Sequence, residues 1–288
     1  MKPAPFEYLA PASLDEAVSV LEQHGDEAKV LAGGQSLVPL MALRLARPTA
    51  VVDLAGVDGL NHLLEGDTVA IGAMATHRDV ELNDYLFDRC PMIREAMSVI
   101  GHVAIRNRGT VGGSCAHSDP AAEWPALALA LDAEIDARGS RGTRTIPASD
   151  FFISFFTTTL EPDEIITEVR LKLPPVGTGT AFMELARRQG DFGIVGVAAV
   201  ASRDADRITD ARLSLMGVSD VPIRPSEAEA VLRGSDGGDD ALEAAAEAVA
   251  GAINPTGDVH GSQEFRRNAA GVMTQRALRR AYERAGGA

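Results

Sequence analysis

Lys29-Val30-Leu31-Ala32-Gly33-Gly34-Gln35-Ser36 is the stretch on which the fold turns. A short apolar run breaks at paired glycines and gives way to a helix-forming segment, a strand-to-turn-to-helix pattern. The pattern recurs in Thr110-Val111-Gly112-Gly113-Ser114. Glycine lets successive N–H groups converge without a Cβ in the way, and such a nest can hold a pyrophosphate. Ser36 and Ser114 would add hydroxyl donors. Either segment alone reads as a turn needing positive φ, but two of them favour an anionic ligand. Neither is a standard nucleotide fingerprint, because the chain lacks both G-x-G-x-x-G and G-x-x-x-x-G-K-[ST]. Rossmann and P-loop readings are therefore excluded.

Upstream, Ser13-Leu14-Asp15-Glu16 is a capping box, and Leu14, Ala17, Val18 and Leu21 follow at helical spacing over about 13–24. With strands at Lys29–Leu31 and Ala50–Leu54, this gives a small βαβ-like unit ending near residue 55. Downstream, a hairpin is predicted around Gly66-Asp67, with helices from Thr76 and from Pro91 to Ile100. Residues 101–122 carry little periodicity, which in a compact domain points to function or disorder. Asp119-Pro120 leads a helix through Trp124 to Leu131, with Asp119 placed as its N-cap. Strands at Ala133–Ala137, Thr143–Ile146 and Ile165–Leu173 follow, and Pro174-Pro175-Val176-Gly177 marks a domain boundary. Beyond it the pattern predicts strands at Ala181–Arg187, Ile194–Ser202 (the middle one open to a helical reading) and Ala211–Val218. Helices at about 226–233, 240–252 and 262–285 complete a three-stranded sheet with helices packed on it.

The chain has 288 residues, room for roughly two domains at about 150 residues each. Its 45% hydrophobic and 24% charged residues exclude a disordered chain, and no apolar run approaches the ~20 residues of a membrane span. Met1 is followed by Lys2-Pro3-Ala4-Pro5 without an apolar segment, so no secretory signal is expected. Two cysteines, Cys90 and Cys115, fit a reducing compartment, and the expected location is cytoplasmic. A net charge of −14 opposes binding to nucleic acid. Six arginines between 262 and 288, against Glu264 and Glu283, make the C-terminal helix a candidate contact face.

Cys115, His117 and Asp119, with His102 upstream, do not have the spacing of a zinc site. His117, Asp119 and Glu123 suit hydrogen bonding and capping better than acid–base catalysis. No catalytic residue and no metal ligand is assigned. The chain reads as a binder of an anionic cofactor.

Five segments in order carry a resemblance. Ala32-Gly33-Gly34-Gln35-Ser36-Leu37 with Pro39, Arg106-Asn107-Arg108-Gly109-Thr110-Val111-Gly112-Gly113-Ser114, and His117-Ser118-Asp119-Pro120-Ala121-Ala122-Glu123 are the first three. Arg187-Arg188-Gln189-Gly190-Asp191-Phe192 and Ser262-Gln263-Glu264-Phe265-Arg266-Arg267 with Arg276-Ala277-Leu278 complete the set. Together they resemble the FAD-binding medium subunit of the molybdenum hydroxylases, the carbon monoxide dehydrogenase and xanthine dehydrogenase family. The resemblance implies an α+β chain. A two-part FAD-binding domain of the vanillyl-alcohol-oxidase (PCMH) type would occupy 1–176, with subparts of about 1–55 and 56–176. A C-terminal domain of three-stranded sheet plus helices would occupy 177–288.

The resemblance also implies roles. Lys29, Leu31, Ala32, Gly33, Gly34, Gln35, Ser36 and Leu37 would wrap the FAD pyrophosphate and ribityl chain together with Thr110, Val111, Gly112, Gly113 and Ser114, through backbone amides. His117, Asp119 and Glu123 would lie along the flavin or its sugar, Leu160 near the adenine or ring edge, and Phe192 against the isoalloxazine. Glu123 stands where the family usually has Asp, and Phe192 where Tyr or Trp often occurs. A small subunit with two [2Fe-2S] clusters and a large subunit with the molybdenum-pterin cofactor would complete a heterotrimer, assembled as a dimer of heterotrimers. Two cysteines cannot ligate even one Cys₄ cluster, so the clusters belong elsewhere. The competing readings are a stand-alone flavoprotein oxidase of the same fold and a flavin-free assembly subunit.

Overall fold

A computed structural model describes residues 2–286; Met1, where the leader reading begins, and residues 287–288 lie outside the described residues. The first unit comprises β1 (Glu7–Leu9), α1 (Leu14–His24), β2 (Ala28–Leu31), α2 (Leu37–Ala42) and β3 (Ala50–Asp53). Its strands form a parallel sheet in the order β1-β3-β2. Ala17, Val18 and Leu21 of α1 pack on Ala50, Val52 and Leu54 to make its core. The Ser13 hydroxyl accepts the Glu16 N–H as predicted, but the Glu16 carboxylate accepts from Ala12 rather than from Ser13.

The second unit runs β4 (Leu63–Leu64), β5 (Thr68–Gly72), α3 (His77–Glu81), α4 (Asp84–Arg89), α5 (Pro91–Val99), α6 (Val103–Arg106), α7 (Val111–His117) and α8 (Glu123–Ala130). It continues with β6 (Glu134–Gly139), β7 (Gly142–Pro147), α9 (Ala148–Phe151), β8 (Phe152–Ser154), β9 (Thr157–Thr158) and β10 (Ile165–Lys172). Five of these strands form an antiparallel sheet ordered β4-β5-β10-β6-β7. Every residue of α8 is buried, and beyond Glu123 the helix is apolar all round, as one packed between two layers must be. The stretch 101–122 holds two short helices that its glycine-rich composition concealed. The helix assigned to begin at Asp119 begins at Glu123 instead. Ala122 occupies the cap position, and the Asp119 carboxylate accepts the Ala121 N–H within a turn.

The third unit is an antiparallel sheet of β11 (Gly179–Ala186), β12 (Gly193–Asp204) and β13 (Arg207–Met216), followed by α10 (Ser226–Leu232), α11 (Asp239–Ala252) and α12 (Gln263–Arg284). The ambiguity of Ile194–Ser202 resolves as strand for a physical reason. Ala198 and Val200 point into the core around α8 while Val195, Val197, Ala199 and Ala201 point into the core under α12. A strand buried on both faces reads as one continuous apolar run.

Among the described residues, five of the six α12 arginines have partners within their own chain. Arg266 is buried and donates to the carbonyls of Ile194 and Gly217 and to Asp258. Arg280 and Arg284 converge on Glu95 of α5 at 2.9 and 2.7 Å, while the other Glu95 oxygen accepts the Phe182 N–H of β11 at 2.8 Å. Arg279 pairs with Asp239, and Arg267 donates to the Ile253 carbonyl.

Candidate functional site

The three units meet around a cavity of about 590 Å³, within the range of cofactor and small-molecule sites. One wall is the turn after β2. Gly34 sits at φ +74°, the left-handed region, and so turns the chain from β2 toward α2. Among the described residues, the N–H groups of Gly33, Gly34, Gln35 and Ser36 have no partner in the chain. The Gln35 side chain reinforces the turn by donating to the Gly33 carbonyl at 3.1 Å.

The second glycine segment behaves differently from its prediction. It is the first turn of α7, and its amides are already used: Val111 donates to Ala75, Gly112 to Ala73, Gly113 to the Thr110 hydroxyl and Ser114 to the Thr110 carbonyl. Neither glycine has positive φ. Their value is small volume. A Cβ on Gly112 would stand 2.5 Å from the Ala73 Cβ, and one on Gly33 would stand 2.0 Å from the Arg108 carbonyl oxygen and 2.8 Å from the Gly109 Cα. The two glycine segments thus seat against each other; the first presents four free amides, whereas in the second only the Thr110 N–H is left without a partner among the described residues.

Lys29, Ala32, Gly33, Gly34, Gln35, Ser36 and Leu37 line the cavity with Thr110, Gly112, Gly113 and Ser114. His117, Asp119, Glu123, Leu160 and Phe192 line it as well. Leu31 and Val111 do not; Leu31 packs beneath Gly34 and Val111 lies in the core. Phe192, on the β11–β12 turn, is 76% exposed and borders a second cavity of about 400 Å³. His117 packs over Phe156 of the β8–β9 turn at 4.9 Å. Lys29 is the one basic side chain besides the histidines that lines the cavity among the described residues. Asp26, Asp119, Glu123, Glu161, Glu164 and Asp191 oppose it. An anionic ligand must therefore be held by backbone amides rather than by paired cations.

Sequence reasoning missed His77. Its Nδ1 accepts the Trp124 indole N–H at 2.9 Å, which leaves the hydrogen on Nε2 against Gly109 in the cavity floor. No local signal could reveal this, because Trp124 lies 47 residues away. Burial, assisted by the Arg106 charge, lowers its pKa to about 4. Between that value and the ordinary 6.5 the unfolded chain binds a proton that the folded chain excludes, so stability falls as pH drops through this window. The expected loss approaches about 3 kcal/mol at the acid end. His77→Asn, which keeps an acceptor for Trp124, is expected to flatten the slope in urea unfolding at stepped pH. Cys90 and Cys115 are buried free thiols, each pushed up to about 12 by burial, and so are poor nucleophiles.

Residues 4–174 match the family described as FAD binding domain in molybdopterin dehydrogenase, and residues 180–281 match the CO dehydrogenase flavoprotein C-terminal domain. The chain belongs to the FAD-binding medium subunits of the molybdenum hydroxylases. It is 42% identical over 287 residues to the nicotine 6-hydroxylase medium subunit of Paenarthrobacter nicotinovorans, covering 99% of both chains. Carbon monoxide dehydrogenase from Hydrogenophaga pseudoflava, in a form lacking the Mo-pyranopterin moiety, superposes at TM-score 0.96 with 38% identity, over 99% of this chain and 100% of that one. Quinoline 2-oxidoreductase from Pseudomonas putida 86 gives 0.93 and 35%, over 98% and 99%. The medium subunit is thus an α+β, FAD-binding oxidoreductase component. The chemistry of its cavity fits FAD, with four free amides for a pyrophosphate and a backbone seat at Gly33 too close for any Cβ. Among the described residues, no helix is long and apolar enough to cross a membrane.

Proposed function

We propose that the chain is the electron relay of a cytoplasmic heterotrimeric molybdenum hydroxylase, standing between the [2Fe-2S] clusters of a small subunit and an external acceptor. Residues 1–176 would carry the cofactor and 177–288 would close over its ring end. A large subunit would hold the molybdenum-pterin cofactor and the substrate, with two heterotrimers joined as a dimer. Bound FAD supplies chemistry that exchanges one electron on one side and two on the other.

The residues of this chain do the holding. The amides of Gly33–Ser36 would take the pyrophosphate, and Ser114 and Thr110 would flank it with hydroxyls. The remaining lining residues Lys29, Ala32, Leu37, Gly112, Gly113, His117, Asp119, Glu123, Leu160 and Phe192 would bound the ribityl chain and ring, with Leu31 and Val111 supporting from behind. The neutral His77 would offer an N–H without adding charge. The free amides in an otherwise acidic cavity are the observation that carries this reading.

The test is purification of the endogenous complex, with subunits identified by mass and flavin absorbance followed against this chain. Flavin that tracks the chain, and bleaches when the complex meets its substrate, is the expected result. A stable, active, flavin-free complex would overturn the reading in favour of an assembly subunit. Substrate oxidation by this chain alone would favour a self-contained oxidase.

A further inference from the structure

His77 is the first residue of α3, and the Thr76–Asp79 capping box fixes where that helix begins. Its backbone N–H donates to the Gly109 carbonyl at 2.9 Å, which draws the imidazole, only 5% exposed, onto the 109 segment. Trp124, the single tryptophan of the chain and fully buried, donates its indole N–H to Nδ1 at 2.9 Å. An indole nitrogen can only donate, so Nδ1 must accept and the ring proton resides on Nε2. Burial and the Arg106 charge exclude a second proton at neutral pH. Among the described residues no group of the chain accepts from Nε2, although His77 lines the cavity. A donor held in a buried ring without an acceptor is costly, and an acceptor brought by a ligand removes that cost.

The place of this donor decides which part of a ligand it meets. A Cβ on Gly109 would fall 2.8 Å from the His77 Cδ2 and 2.9 Å from Nε2, so the proton-bearing edge of the ring lies on Gly109. The same residue receives Gly33, whose added Cβ would fall 2.8 Å from the Gly109 Cα. One glycine therefore separates Nε2 from the turn that carries the free amides of Gly33–Ser36. The next residue, Thr110, lines the cavity and adds an N–H that also has no partner among the described residues. The donors gathered around Gly109 are all neutral, and converging N–H groups of this kind suit the ionised oxygens of a phosphate ester.

We propose that His77 is a further binding residue for the diphosphate of the dinucleotide, donating its Nε2–H beside the amides of Gly33–Ser36, and that Trp124 is the positioning residue that fixes this tautomer. The inference rests on the FAD reading and deepens it. Without the indole donor the ring proton is free to move to Nδ1, and Nε2 then turns a lone pair toward an anion. That arrangement repels the ligand instead of binding it. Trp124 therefore acts on the cavity without touching its occupant, through the orientation of one proton.

Two substitutions of the full chain test the contact, because the amide of Asn reaches the place of Nδ1 and the amide of Gln that of Nε2. His77→Asn keeps an acceptor for Trp124 but removes the cavity donor, and FAD affinity should fall on the order of tenfold or more. His77→Gln should restore most of it. ADP, which carries the diphosphate without the flavin, should compete with FAD in the wild type and lose the same factor in His77→Asn. Nitrogen-15 NMR of the histidine-labelled chain adds a readout independent of affinity. His77 should show a protonated Nε2 and a bare Nδ1 in the wild type, mixed tautomers in Trp124→Phe, and a shifted Nε2–H signal when ADP is added. Unchanged FAD affinity in folded His77→Asn, or loss of FAD without loss of ADP, overturns the diphosphate contact and leaves the FAD reading standing. A bare Nε2 in the wild type overturns the role given to Trp124. A wild-type chain that binds neither FAD nor ADP overturns the FAD reading and this inference with it.

Discussion

Gly33→Ala is expected to strip the chain of FAD. The added Cβ would fall 2.0 Å from the Arg108 carbonyl oxygen and 2.7 Å from its carbon, contacts with backbone that no side-chain rotation can relieve. Either the turn after β2 or the 108–109 segment must retreat, and both border the cavity. Retreat of the turn misaligns the four free amides. With no paired cation in the wall to compensate, FAD affinity should fall on the order of 100-fold or more, about 3 kcal/mol. Flavin fluorescence on titration into the purified chain measures it. Circular dichroism of the same sample separates a local loss from unfolding, and wild-type affinity in a folded variant would refute the seat described for Gly33.

Arg106→Ala should produce the largest loss of stability. The guanidinium is buried and bridges Glu81 through two donors, at 3.0 and 3.2 Å, while a third reaches the carbonyls of Ile100 and Gly101 at 3.1 Å each. Removing one partner of a buried pair costs about 3–5 kcal/mol, chiefly because the remaining groups stay buried and unpaired. Burial alone would raise the Glu81 pKa, yet the hydrogen bonds and charges of Arg78 and Arg106 hold it below the ordinary value. Glu81 therefore stabilises the fold above its unfolded pKa, and that contribution is lost as pH falls through the folded one. In the variant this acid-side slope should shrink. Arg106→Lys keeps charge without the fork and should recover only part of the loss in denaturant unfolding. Because residues 100–109 back the Gly33 seat, FAD retention should weaken in parallel.

Much of this was legible from local pattern. Alternation, capping residues and glycine pairs located α1, β2, β3, β10 and the three helices at the end of the chain within a few residues. Where the reading failed, the missing information was non-local. Gly112 and Gly113 resemble a turn in sequence, but Ala73 and Ala75 accept their neighbourhood's amides and make it a helix. Asp119 has the chemistry of an N-cap, but Glu123 is drawn inward to start α8. The Arg106 motif was visible in the chain, whereas its partner Glu81 lies 25 residues away. His77 depends likewise on a group that only the fold brings near, Trp124.

The Glu95 clasp bears on how this chain could be recombined with its relatives. A crossover made at the proline-rich link would exchange Arg280, Arg284 and the Phe182 amide while leaving Glu95 behind. The inherited acceptor would then face foreign donors, so a chimera is expected to fold only when α5 travels with the sheet and helix that grip it. The two halves are transferable as a matched lock and key, and the joint between them sits in space at Glu95, far along the chain from the peptide link at residue 176.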